Sequence, residues 1–293
     1  MNNVFMNWLC RKLIDSKCKQ LGLTKASIDT VDGRTVYFKG GQGPDMVLVH
    51  GFGANKENWL ALAPRLMRHY TVWIPDLIGF GESDRPSNAR FNIAEQADRV
   101  VRWLDALGVK NFHVMGNSMG GYLAGALAAN FPHRILSACL LNPAGVKGAE
   151  HTAIGQAFAD EGKVMLAPSS FREYEQVVSL CFSGQPPAMP GFMRKYFGRM
   201  SFLNKALLDR VFMEFVNPET NVCLNDMVAN TPVPLMVVWG DSDQLVHPSG
   251  LAVLKQANPA IKDLMLENTG HCPMVDRASL VYKEHLKFMP VSS

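Results

Sequence analysis

Short, continuously apolar runs recur along this 293-residue chain: Met46–Val49 (MVLV), Tyr70–Pro75 (YTVWIP), Phe112–Met115, Ile135–Leu141 (ILSACLL), Pro234–Trp239 (PLMVVW) and Asp263–Leu266. They lack the in–out alternation of a half-exposed strand and are too short for core helices, so they read as strands buried on both faces. Segments of helical period lie between them, at Trp59–Met67, Asn92–Leu107, Met119–Asn130, Pro248–Ala257 and Ala278–Phe288. Asn92 suits an N-cap and Gly108 a C-terminal stop. Strands and helices in alternation predict an α/β protein, with a mostly parallel sheet covered by helices on both faces. Ahead of these, Ala26–Val31 and Arg34–Lys39 flank Asp32-Gly33, the signal of a β-hairpin turn.

The alternation breaks at residues 146–231, a stretch with helical segments and many Phe, Tyr and Met side chains, among them Phe158, Phe171, Tyr174, Phe182, Tyr196, Phe197 and Phe212. The expected organisation is a core domain from residues 1–145 and 232–293, with 146–231 inserted as a helical cap over the C-terminal edge of the sheet. Most of the aromatic residues should form the insertion's own core, while flat rings and flexible Met also suit an apolar chamber. Phe5, Leu9 and Leu13 recur at helical spacing and predict an N-terminal amphipathic helix over about residues 3–20. Packing of that stripe on the body is the favoured reading. The alternative is a peripheral lipid-surface contact through Trp8, Arg11 and Lys12.

Composition excludes several classes. Apolar residues make up 47% and charged residues 19%, ordinary for a chain with a sizeable core. A net charge of +3 with no dense Lys/Arg block argues against a nucleic-acid partner. No apolar run reaches the roughly 18 residues of a membrane span, and the N-terminus has no basic n-region ahead of its apolar stretch, so no secretory signal is expected. Six scattered cysteines without a C-x-x-C pair predict a reduced, cytoplasmic setting. Without H-E-x-x-H, a phosphate-binding P-loop or a dinucleotide fingerprint, neither metal nor cofactor is expected.

Gly116-Asn117-Ser118-Met119-Gly120 reads G-x-S-x-G at a strand–helix junction, the context in which that motif lifts a serine hydroxyl clear of a sheet. Ser118 is the candidate nucleophile. Met119 brings a backbone N–H at a helix N-terminus to the reacting centre. Such a serine needs a base and an orienting acid. Among the later histidines, His133 precedes a strand, His151 opens the insertion, and His285 sits within the last helix, where exposure is expected. His271 follows the last strand on the edge that carries sites in parallel sheets, and is the candidate base, with His247 a distant second. Asp241 and Asp243 in Trp239-Gly240-Asp241-Ser242-Asp243 can both reach it; spacing mildly favours Asp243. His50-Gly51-Phe52-Gly53 ends the first buried strand, and Phe52 is assigned the second oxyanion N–H. A donor of this kind contributes about 2.7–4 kcal/mol to transition-state stabilisation. His50 and Asp76 read as loop organisers, and Cys272 as pocket lining or core.

With HGFG (50–53), D-x-x-G-x-G-x-S (76–83), GNSMGG (116–121), WGDSD (239–243) and GH (270–271) in this order, the chain resembles the α/β-hydrolase family over nearly its whole length. The resemblance implies the α/β-hydrolase fold and makes Asp243 the acid of the triad. NPAG (142–145), followed by SFREYEQVVSLCF and LLDRVFMEFV, is similar to the monoacylglycerol lipase/esterase branch, which implies a serine hydrolase of lipid-like carboxylic esters. Meta-cleavage-product hydrolases, which cut C–C bonds, also carry GNSMGG but have H-G-x-G-P-G-A where this chain has HGFGANK. A ligand receptor on this fold without turnover is the reading from outside the enzymes.

Overall fold

The computed structural model describes residues Asn3–Met289. A helix, α1 (Asn3–Gln20), leads into the hairpin β1 (Thr24–Thr30) and β2 (Gly33–Gly40), followed by β3 (Asp45–Val49), α2 (Ala63–Leu66), β4 (Thr71–Pro75), α3 (Ile93–Ala106), β5 (Phe112–Asn117), α4 (Met119–Asn130) and β6 (Ile135–Leu141). Five helices then come before the next strand: α5 (Ala153–Glu161), α6 (Phe171–Leu180), α7 (Gly191–Leu203), α8 (Lys205–Val216) and α9 (Leu224–Val228). β7 (Leu235–Gly240), α10 (Gly250–Ala257), β8 (Lys262–Leu266), α11 (Pro273–Asp276) and α12 (Ala278–Phe288) complete the chain. The strands form one eight-stranded sheet in the order β1-β2-β4-β3-β5-β6-β7-β8. From β4 to β8 every pairing is parallel; β1 and β2 add an antiparallel margin.

The unbroken apolarity of the strands has a direct cause. In β3, Val47 and Val49 face one core, with Val100 and Leu104 of α3 and Leu123 and Leu127 of α4. Met46 and Leu48 face the other, with Trp59, Leu66 of α2 and Val281 of α12. β5, β6 and β7 split their side chains in the same way. With helices on both sides, both faces of a strand are buried and mostly apolar, and the polar pair His113 and Ser137 hydrogen-bond each other at 2.8 Å. Burial of one such aliphatic side chain is worth about 1.5–3 kcal/mol.

α3 follows the local signals: the Asn92 side chain accepts from the Glu95 N–H at 3.0 Å, and Gly108 takes φ +74° just past the end. Other segments depart from expectation. The hairpin pairs Thr30 with Gly33, so its two-residue loop is Val31-Asp32, with Gly33 at φ +111°. From that loop the Asp32 carboxylate makes a two-pronged ion pair with Arg102, at 2.7 and 2.9 Å. The helix expected over Trp59–Met67 is a 3₁₀ turn at Lys56–Trp59 and the separate α2. Pro64 lacks an N–H for the carbonyl of Leu60 and stops one helix from running through. The stripe Phe5, Leu9 and Leu13 packs on the body only at Leu9, which is half-buried. α1 lies on β1 and α7 and buries Cys10 and Cys18, while Phe5 and Leu13 stand about half exposed.

His285, expected on the surface, is buried, with Nε2 3.3 Å from the Tyr70 hydroxyl. Burial, helped by the neighbouring His113, pushes its pKa down to about 4. The unfolded chain takes up this proton near pH 6.5 and the folded chain does not until about pH 4, so stability falls as pH drops through that window. The loss should approach about 3 kcal/mol for this one group. Urea denaturation at pH 7 and pH 4.5 checks it: replacing His285 with Gln should shrink the pH-dependent part of the loss.

Candidate active site

Because β3 to β8 run parallel, the loops that follow them emerge on one edge, and all the candidate residues lie on these loops. β5 ends at Asn117, and Ser118 turns the chain into α4 with φ +59° and ψ −119°. A non-glycine residue in this region costs on the order of 1–3 kcal/mol and is held there by its surroundings. The Ser118 N–H donates to Leu141 O at 2.9 Å, and its carbonyl accepts from Tyr122 N at 3.0 Å and Ala144 N at 3.1 Å. The flanking glycines are required by contact: a Cβ on Gly116 would sit 1.9 Å from Gly120 O, and one on Gly120 2.2 Å from Val49 O. The turn therefore presses α4 against β3 and β5 and leaves the Ser118 side chain at the wall of a cavity.

His271 follows β8. Its backbone N–H donates to Cys181 O at 2.9 Å, and its carbonyl accepts from Asn117 Nδ2 at 2.9 Å. Its Nδ1 lies 2.7 Å from Asp243 Oδ2. That carboxylate is held on both oxygens: Oδ1 accepts from Leu245 N at 2.8 Å and Val246 N at 3.1 Å, and Oδ2 also accepts from Asn142 Nδ2 at 2.6 Å. Burial disfavours the charged imidazole, but the charge of Asp243 and its hydrogen bond outweigh this, so the His271 pKa is raised above its ordinary value. With Nδ1 donating to Asp243, the neutral ring keeps Nε2 as an acceptor.

Ser118 and His271 line the same cavity, of about 720 Å³, together with Phe52. Asp241 stands apart: its Oδ1 accepts from Ser242 Oγ at 2.8 Å and Thr269 N at 3.3 Å, which makes it a brace between two loops. His247 is engaged with Ser249 Oγ at 2.9 Å, while His133 and His151 are exposed. Phe52 packs edge-to-face between Phe80 and Phe212, at 6.1 and 5.4 Å. His50 organises that loop: Nδ1 donates to Gly51 O at 2.8 Å, and Nε2 accepts from Leu77 N at 3.0 Å. Burial lowers its pKa and favours this neutral form. Met119 is buried at the start of α4. Among the described residues, no group of three or more His, Cys, Asp or Glu side chains is placed to hold a metal ion.

The cavity lining is of two kinds. Val178, Phe182, Tyr196, Phe197, Met200 and Leu208 are its apolar and aromatic part. Arg11, Asn55, Lys56, Glu57, Glu82 and Arg85 are its polar and charged part. Lys56 is wholly buried, its Nζ 2.6 Å from Asp76, 2.8 Å from Glu82 and 3.2 Å from Glu57. Burial opposes its charge, yet these carboxylates prevail and raise its pKa. Burial and the nearby Asp76 push Glu57 up to about 7. Asp76 also accepts from Lys56 N and Glu82 N, both at 2.8 Å. Sequence reasoning placed Asp76 as a loop organiser but missed Lys56, Glu57 and Asn142. The only hint of Lys56 was a lysine close to the Gly-rich HGFG loop.

This chain belongs to the α/β-hydrolase family, which matches residues 44–278. Lipase 1 of Psychrobacter immobilis is 32% identical over 270 residues, 91% of this chain and 84% of that protein. Monoacylglycerol lipase ABHD6 of Mus musculus is 28% identical over 261 residues, 85% of this chain and 76% of that protein. A crystal structure described as a membrane phospholipase A, a bacterial virulence factor, superposes with a TM-score of 0.92 at 29% identity, covering 98% of this chain and 92% of that one.

The Asp243–His271 contact has a spectroscopic consequence. In an NMR titration, the imidazole of His271 should change charge above pH 6.5 in the wild-type chain. In Asp243→Asn, where burial acts without the countercharge, it should do so below that value.

Proposed function

We propose that this chain is a serine hydrolase of lipid-like carboxylic esters, monoacylglycerols or short- to medium-chain acyl esters, acting through an acyl-enzyme. The observation that carries the reading is the 2.7 Å contact of Asp243 with His271, in a ring that shares its cavity with the strained Ser118. Nε2 of His271 takes the proton from Ser118 Oγ as that oxygen attacks the ester carbonyl. The N–H groups of Phe52 and Met119 hold the oxyanion. The imidazolium, stabilised by Asp243, then passes its proton to the departing alcohol. Water enters, gives a proton to Nε2 and attacks the acyl-enzyme carbonyl; Nε2 then returns the proton to Ser118 Oγ as that oxygen leaves, which releases the acid and restores the serine.

The mixed lining of the cavity supports an amphiphilic substrate. An acyl chain suits the Phe, Met and Leu wall supplied by residues 146–231, which we assign as the cap. A polar alcohol such as glycerol suits Asn55, Glu57 and Arg85, whose polar groups an apolar alcohol would strip of water without replacement. Similarity to lipases, one of them named a monoacylglycerol lipase, supports the same choice.

Hydrolysis of p-nitrophenyl butyrate tests the assignment. Ser118→Ala should lower kcat by at least about 10⁴-fold, and Asp243→Asn by about 10⁴-fold, while Asp241→Asn should stay close to wild type. kcat/KM should fall on the acid side with an apparent pKa above 6.5, because the protonated imidazole cannot accept the serine proton. Undiminished activity in Ser118→Ala would reject the nucleophile. Fast turnover of a ring-fission dienoate with negligible ester cleavage would favour C–C hydrolysis, and tight ligand binding without turnover would favour a receptor.

A further inference from the structure

α1 has two apolar faces. The inward one carries Cys10 and Cys18, both buried, and Ile14 at the cavity wall. The outward one carries Phe5 at 50%, Trp8 at 54% and Leu13 at 45% exposure. A helix that served only to cover the body would need one such face, and burying it would satisfy the helix. Here three large apolar side chains within nine residues are left in water, with Phe5 and Trp8 stacked at 5.9 Å between ring centres. Single exposed apolar residues need no explanation, but a cluster marks a contact surface.

The charges around the cluster identify the contact. α1 holds four basic residues, Arg11, Lys12, Lys17 and Lys19, against Asp15 alone. Arg11 is engaged by Glu82, and Asp15 by Lys25. Lys12, Lys17 and Lys19 are exposed, and Lys12 lies over the Trp8 ring at 5.9 Å. Aromatic rings beside exposed lysines match the boundary of an anionic bilayer, where rings sit among the headgroups and lysine stems reach the phosphates. The helix is also part of the cavity, since Arg11, Ile14 and Asp15 line it along with the partly exposed Met189.

We propose that the outward face of α1, with Phe5, Trp8 and Leu13 flanked by Lys12 and Lys19, docks this protein on an anionic lipid surface. Docking would set the cavity beside the bilayer, so that an amphiphilic ester enters from the lipid phase. The docking itself does not depend on the ester-hydrolase reading; the delivery of substrate does.

Tryptophan emission gives the readout. Trp59, Trp73, Trp103 and Trp239 are 0–5% exposed, so a change on docking reports Trp8. Ser118→Ala protein keeps binding separate from turnover. With mixed phosphatidylcholine–phosphatidylserine vesicles, it should sediment with the lipid and its emission should shift to the blue; with phosphatidylcholine alone, binding should weaken. Each lysine at an anionic surface strengthens binding about fivefold, so Lys12→Gln with Lys19→Gln should cost about 25-fold, and added salt should weaken the wild type. Phe5→Ser with Trp8→Ser should abolish sedimentation with vesicles and, in a chain with Ser118 intact, leave p-nitrophenyl butyrate hydrolysis unchanged. Vesicle binding equal to wild type in that double variant would overturn the proposal, as would no binding by the parent protein. A parent that is dimeric without lipid, and made monomeric by Phe5→Ser with Trp8→Ser, would assign the face to a second copy of the chain instead. Vesicle binding without any ester turnover would uphold the docking and reject only the enzymatic reading.

Discussion

Parallel pairing from β4 to β8 is the constraint on which the rest of the molecule depends. A parallel strand cannot be reached by a tight turn, so the chain must cross a face of the sheet and start again from the same end. The crossings supply the helices that bury both faces, and they deliver His50, Asp76, Ser118, Asn142, Asp243 and His271 to one rim. Residues more than 150 positions apart thereby become neighbours, as the hydrogen bond from Asn117 to the carbonyl of His271 illustrates. The rim costs strain and buried polarity, and the two-layered apolar interior is what can bear that cost.

Polar groups at the rim order one another. Asp243 is fixed by two backbone N–H groups and the Asn142 amide before it meets His271. Such satisfaction keeps the direction of a buried carboxylate constant. The Lys56 cluster applies the same rule with the signs exchanged: one buried cation is surrounded by Asp76, Glu57 and Glu82. Removing one partner from an arrangement of this type typically costs about 3–5 kcal/mol, because an unpaired charge stays behind.

Much of this was readable before any coordinates. The apolar runs were legible because burial on both faces disfavours polar positions. The Ser118 turn was legible because only glycine tolerates backbone oxygens as close as those at positions 116 and 120. Loop position selected His271 from several histidines. Other features depend on contacts between distant segments and leave no local trace. Nothing in Lys56-Glu57-Asn58-Trp59 distinguishes a buried lysine from a surface one until Asp76 and Glu82 arrive from another loop. Asn142, at φ +44° after β6, looks like an ordinary loop residue until Asp243 is set beside it. His285 sits on a helix of ordinary composition, and its burial follows from Tyr70 far away in the chain. The orientation of α1 was misread because both of its faces are apolar, and periodicity alone cannot say which one turns inward.

The bond from the His271 N–H to the carbonyl of Cys181 joins the segment after α6 to the loop after β8. Any swing of α6 away from the sheet must break that bond or carry the imidazole along. Through this single bond the position of α6 and the alignment of the ring are mechanically coupled.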